Sequence, residues 1–280
     1  MRSLLVIVLF CIQLTTNETL AQNVVLPGYE REDYFTELLA LVLSYHPDKN
    51  YQLGFYGYDI PKLRAFKFIE KQKGIDVIPA GYTNERSKIL KPVPLPILKG
   101  LHGWRIPLVA AENKQIFKDV AELSAFKKFN PGQMLNWSDS KIIASNGIRV
   151  VNGINYDGLF TMLVKNRFDY FPRSVIEVEG EWFKQKEMGI EIEPNIIIHY
   201  PTAYVFYVNK DNHMLANDLE LGLESAYKDG KFEALFNRYF GDVVDKVTQQ
   251  KRKKFELMNP FLPSNTPLQR KELWLDLAKP

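Results

Sequence analysis

The chain has 280 residues, 46% hydrophobic and 25% charged, with a formal net charge of +3. That length suits one large domain or two modest ones, and the balance is that of a globular protein. So small a net charge argues against nucleic acid, and the run Lys251-Arg252-Lys253-Lys254 reads as a solvated helix face.

The first residues read as an export signal. Met1-Arg2-Ser3 is a short basic start, residues 4–14 are apolar but too few to span a bilayer, and Thr19-Leu20-Ala21 offers small residues for a cut after Ala21. The chain is therefore expected to be exported. Cys11 is the only cysteine and lies inside this segment, so the mature chain is expected to have no disulfide and no thiolate chemistry. Phe10 before it is too bulky for a lipoprotein cleavage site.

Beyond the signal, residues 23–26 form a short strand that stops at Pro27-Gly28. Residues 34–45 carry apolar positions at helical period, with Asp33 as N-cap. Residues 51–58 are an aromatic-rich strand, 61–73 a basic amphipathic helix stopped by Gly74, and 75–79 another strand. Such a β-α-β-α-β order implies parallel strands covered by helices. After that strand comes the break Ala80-Gly81, then Thr83-Asn84-Glu85-Arg86, the capped start of a helical turn. A strand end, a helix start and an arginine together make a corner suited to an anion.

The prolines at 92, 94 and 96 exclude helix and central strand. A second alternation follows. Residues 106–111 are extended, 117–123 a short helix and 126–129 a strand. Asn136-Trp137-Ser138-Asp139 starts a helix over 140–145, ended by Asn146-Gly147. Then come a strand over 148–151, a helix over 156–165 capped by Asn155 or Asp157, a strand over 168–171 and a helix over 175–186. Strands at 196–199 and 203–208 flank Pro201, the second re-entering the first lobe. Helices over 214–229 and 232–239 close at Gly230 and Gly241. The last stretch, 255–280, reads as an ordered tail anchored by Phe261 and Trp274.

Catalytic signatures are lacking. The four histidines, His46, His102, His199 and His213, share no metal-ligand spacing, and no nucleophile elbow, HExxH or Walker loop occurs. No cofactor, metal or catalytic residue is expected. Glu177, Glu179 and Glu181 alternate at two-residue spacing and read as a solvated helix rather than a catalytic pair. Tyr58, Trp104 and Tyr170 sit at predicted strand ends, where parallel α/β lobes bind ligands; core packing is the competing account of each.

Three segments in order, IDVIPAGYTNER, NYDGLFTMLVKNRFDYFPRS and AYVFYVNKDNHMLANDLELGLESAYKDGKFEALFNRYFG, resemble the type 2 periplasmic solute-binding proteins, extracellular family 3. PLPILKGLHGWR, NWSDSKI and RFDYFPRSVIEVEGEW resemble a subgroup described only as substrate-binding. The resemblance implies an α/β, two-lobed periplasmic-binding-protein-like II fold, each lobe a mostly parallel sheet flanked by helices, joined by two crossovers. It places lobe one at 22–110 and 203–280, lobe two at 111–202, and the crossovers near 110–113 and 199–203. It implies a monomer that clamps a small-molecule solute and serves an inner-membrane transporter or sensor.

Carried over by position, the family's carboxylate-binding arginine falls on Arg86, beside Thr83, and its hydroxyl-bearing loop residue on Gly81. Its amino-gripping acid is replaced by Pro172-Arg173-Ser174. Arg86 and Arg173 across a cleft would suit an anionic or carboxylate-bearing ligand; an Arg173–Glu177 pair is the structural alternative. Ser174, Tyr58, Trp104 and Tyr170 complete the candidate contacts. Two other readings stay open: a dehydratase-like enzyme, favoured if Asp139 and Glu177 meet in one pocket, and a ligand-free interaction domain, favoured if the cleft is filled by its own side chains.

Overall fold

The computed structural model describes residues 21–277; the expected signal segment lies outside them, apart from Ala21. Among the described residues no helix is long and apolar enough to cross a membrane.

The first lobe opens with β1 (Gln22–Leu26), α1 (Tyr34–Leu43), β2 (Tyr51–Phe55), α2 (Lys62–Glu70), β3 (Val77–Gly81), the one-turn α3 (Asn84–Ser87) and β4 (Leu90–Pro92). Asp33 caps α1 through a bond from the Thr36 N–H at 2.8 Å. β2 is shorter than the expected 51–58, because Gly57 takes φ +82° and turns the chain away.

The second lobe holds β5 (Trp104–Ala110), a helical turn α4 (Leu123–Phe126), β6 (Gly132–Met134), α5 (Ser138–Ser145), β7 (Val151–Gly153), α6 (Tyr156–Val164), β8 (Phe171–Ser174), α7 (Val178–Gln185), β9 (Ile190–Ile192) and β10 (Ile196–His199). The strand expected at 126–129 is instead α4 and a turn. Its apolar pair Phe126 and Phe129 packs around Phe117 rather than along a sheet. The chain then returns as β11 (Tyr204–Asn209), α8 (His213–Lys228), α9 (Lys231–Gln249) and β12 (Lys253–Glu256). Gly241 does not end α9, which runs eight residues past it; an interior glycine costs a helix only about 1 kcal/mol.

Pairing separates the two halves. β1 and β2 are parallel, while β11 lies antiparallel between β3 and β4. β11 is reversed because it enters from the opposite lobe. In the other half β5 pairs antiparallel with β8, β9 and β10. So residues 104–110, expected in lobe one, belong to the second sheet, and the first passage between sheets is 93–103 rather than 110–113. The second passage is 200–203, between β10 and β11. The two passages touch: a Cβ on Gly103 would sit 2.2 Å from the Tyr200 carbonyl oxygen, so only glycine fits there.

The C-terminal segment is not confined to lobe one. β12 adds a parallel edge strand to β10, with Phe255 and Leu257 in the core of the second lobe. Leu273 and Leu277 are buried in the core cluster that also holds Leu38 and Leu219 of the first lobe. That cluster runs through Leu98, Leu101 and Trp104 at the first passage to Phe160 and Phe171 of the second lobe, so the lobes share apolar packing behind the cleft.

Candidate functional site

A cleft of about 300 Å³ lies between the lobes. Its first-lobe wall is built at the end of β3. Tyr204 pairs with Gly81 in the β3–β11 register, so the strand end faces the start of the returning strand. Thr83 then caps α3, its hydroxyl accepting from the Arg86 N–H at 3.2 Å, which turns the chain back over the strand. The Arg86 guanidinium donates to the Gly81 carbonyl and lies 4.6 Å over the Phe66 ring and 5.5 Å from the Tyr207 ring. Lys62, at the start of α2, donates to the Tyr204 hydroxyl with its ammonium 4.9 Å from that ring. Among the described residues neither Arg86 nor Lys62 has a carboxylate partner.

The second-lobe wall is a dense ionic network. Arg105 is 2% exposed and donates through Nη2 to Asp139 Oδ1 at 2.5 Å, with Glu177 3.9 Å from its Nη1. The Tyr200 hydroxyl donates to the same Asp139 oxygen. Arg173 donates through Nε and Nη2 to both oxygens of Glu181, at 2.5 and 2.6 Å, and through Nη2 to Glu177 at 3.0 Å. Its guanidinium is packed 4.7 Å over Trp137 and 4.9 Å over Phe171. Burial raises the Asp139 carboxyl, but Arg105, His102, the Tyr200 hydrogen bond and Arg173 together hold its pKa below the ordinary value. Burial raises Glu177 too, and His102, Arg173 and Arg105 together bring it below its ordinary value. Burial and then the Arg105 charge push His102 down to about 4, and its Nδ1 is sealed from solvent without a partner.

The structure brings Gly81, Arg86 and Arg173 to this cleft, and Thr83 to the adjoining space. Gly81 contributes a carbonyl that is already accepting from Arg86 and, at 3.4 Å, from Tyr207. Thr83 spends its hydroxyl on the cap. Arg173 lines the cleft with its Nε and Nη2 donors taken by acids, and the Arg173–Glu177 pair is present. The other four residues lie elsewhere. Ser174 is buried in β8 at 3.5 Å from the Leu101 carbonyl. Tyr58 is 68% exposed, beyond the turn that ends β2. Trp104 is buried and stacked 4.1 Å from His199. Tyr170 is buried among Phe117 and Phe126. Both are packed inside cores, Trp104 in the cluster that joins the lobes and Tyr170 in that of the second lobe.

Residues missed from the sequence include Lys62, His102, Arg105, Asn136, Trp137 and Tyr204. Arg105 had a visible signal: a charge inside the apolar strand WRIPLVA must be paired when buried. Tyr204 and Lys62 had none, since their meeting depends on how β11 re-enters the sheet.

No family model and no curated protein matches the chain. Solved structures do, and together with the two lobes and the cleft between them they establish the class: this is a two-lobed, type 2 periplasmic-binding-protein fold. One similar structure is the probable amino-acid ABC transporter extracellular-binding protein ytmK from Bacillus subtilis, with 15% identity, a TM-score of 0.61, and coverage of 79% of this chain and 99% of that one. Another is a His/Glu/Gln/Arg/opine family-binding protein from Silicibacter pomeroyi in complex with lysine, at 11% identity and TM-score 0.58, covering 78% and 97%. A third is a histidine kinase sensor domain with similarity to periplasmic binding proteins, at 14% identity and TM-score 0.56, covering 79% and 97%.

Proposed function

We propose that this chain is an exported, periplasmic solute-binding protein whose lobes close on a small carboxylate-bearing molecule. The observation that carries this is the pair Arg86 and Lys62, cations that face the cleft with no acid among the described residues to neutralise them. Four cations line the cleft against two acids, Asp139 and Glu177. The anchor for a carboxylate is Arg86, whose planar donors suit bidentate pairing and whose position is set by Phe66 and the Gly81 carbonyl. Closure is a hinge motion about the two touching passages. The similar structures include ABC-transporter binding proteins and a kinase sensor domain, which supports delivery to an inner-membrane transporter or sensor.

The enzyme reading has one observation in its favour: Asp139 and Glu177 do reach one cleft, both against Arg105. A general acid needs a proton to give near the working pH. Both carboxyls are held below their ordinary values, so they stay ionised and serve as fixed charge. The interaction-domain reading would need a filled cleft, and here about 300 Å³ is open.

Titration calorimetry with dicarboxylates, phospho-compounds and amino acids tests the proposal. A carboxylate ligand should bind, and Arg86→Ala should weaken it strongly. Tight binding of any solute that is indifferent to Arg86→Ala overturns it.

A further inference from the structure

Beside Arg86 the cleft opens into a second space of about 230 Å³, which shares Leu63, Phe66, Arg86 and Trp137 with the first. Its remaining apolar lining comes from Ile89 and from Phe261 of the C-terminal segment. We propose that this annex receives a flat aromatic group, so that the protein selects aryl-bearing carboxylates, with Phe261 as its outer wall. The proposal rests on the reading that Arg86 holds the carboxylate.

The annex is apolar on the side of Leu63, Phe66, Ile89 and Phe261, while Asn136 and Ser138 line the part it shares with the first space. Its charged groups other than Arg86 are Glu85 and Lys141, which face each other across the cleft at 3.4 Å and ask for no further ion. Thr83 is occupied as the α3 cap. Leu63 and Ile89 are 57% and 38% exposed beside Phe66 and Trp137, leaving apolar surface that a ligand ring would cover. A cavity of about 150 Å³ is enough to hold benzene, so the annex has room for a ring. Arg86, lying over Phe66, stands where the cleft and the annex meet, so one molecule can pair with it and extend outward.

Phe261 is held in place rather than hanging at the rim. Its N–H donates to Asn259 Oδ1 at 3.0 Å, and Asn259 donates to the Pro201 carbonyl at the second passage at 2.9 Å. Just before it, Met258 and Asn146 of the second lobe exchange two bonds at 2.8 Å. Just after it, Asn265 accepts from the Tyr82 hydroxyl of the first lobe at 2.7 Å. The segment thus crosses from one lobe to the other beside the passage and delivers a ring to the cleft mouth. The solved structures are matched over nearly their whole length while about a fifth of this chain lies outside the match.

The test is calorimetry on the chain from Gln22 onward, comparing 3-phenylpropanoate and indole-3-acetate with propanoate and succinate. Burying a ring predicts roughly ten- to hundredfold tighter binding of the aryl compounds. Phe261→Ala should erase most of that advantage and leave the short carboxylates unchanged. Leu63→Gln, a change at an exposed helix position, should reduce it in the same direction even if Phe261→Ala folds poorly. Equal binding of aryl and short carboxylates, binding of the short ones alone, or an aryl advantage untouched in both variants overturns the annex and leaves the Arg86 site standing. Failure of every carboxylate to bind overturns both.

Discussion

Arg86 and Arg173 stand on opposite walls of one cleft and differ in what already holds them. Arg173 is 5% exposed, with two glutamates on its guanidinium and three aromatic rings around it. Arg86 is partly open, lies against the Phe66 and Tyr207 rings and one carbonyl, and meets no acid among the described residues. A buried guanidinium must be neutralised within the fold, so its charge serves stability. One on a partly solvated turn need not be, which leaves it available for the ligand proposed above.

The sharpest way to break this contrast is to delete each arginine. Arg173→Ala strands Glu181 and Glu177 in a half-buried wall and should cost about 3–5 kcal/mol of unfolding free energy, read from denaturant titration. A loss below about 1 kcal/mol would mean that Arg173 is not structural. Arg86→Ala removes two partly solvated ring contacts and a carbonyl bond and strands no charge, so stability should change by about 1–2 kcal/mol. Affinity for the carboxylate ligand should fall roughly ten- to hundredfold, as for a lost charge-assisted bond. Equal stability losses in the two variants would erase the comparison.

A pH series sharpens it further. His102 sits against the ionic wall with its pKa lowered from 6.5 to about 4. Between those values the unfolded chain binds the proton and the native one does not, so stability falls as pH drops from about 6.5 toward 4. A tenfold difference in proton affinity between the two states corresponds to about 1.4 kcal/mol. The ring is partly reached by solvent, so about 1–2 kcal/mol is expected between about pH 7 and about pH 5. His102→Gln should flatten that slope in thermal melts, and an unchanged slope would mean that His102 does not set it. Asp139 and Glu177, held low, contribute above the ordinary carboxyl range and lose that contribution only in stronger acid.

The smallest effect belongs to Lys141→Ala. Its pairing with Glu85 spans the cleft between exposed groups and is worth about 0–1 kcal/mol. Ligand affinity should move less than about fivefold, and less still in high salt. A larger change would make this pair a latch on closure.

The local features were legible. Asp33 and Thr83 each cap the helix expected of them, and of the two candidates Asn155 and Asp157 it is Asn155 that caps α6, all with bonds that reach three residues along the chain. Most of the order of strands and helices also emerged from periodicity and turn residues, while the resemblance rested on particular segments such as IDVIPAGYTNER. Boundaries were poorer where an apolar run suits either state, as at 126–129, or where a strand runs on into polar residues. β8 ends at Ser174, not at Phe171, because Arg173 and Ser174 pair with Ile106 and Arg105.

By itself the sequence determined two successive alternations of strands and helices and a capped turn carrying Arg86 just after β3, because those depend on bonds and periods spanning a few residues. Only the tertiary structure decided which charges remain free. Arg105 finds Asp139 34 residues away, Tyr200 reaches the same acid from 61 residues away, and Phe261 enters the cleft from the far end of the chain. Such partners are set by strand register and by where the chain crosses between lobes. Burial then fixes the outcome, since a charge removed from water must find its opposite within the fold, and one left at the cleft need not.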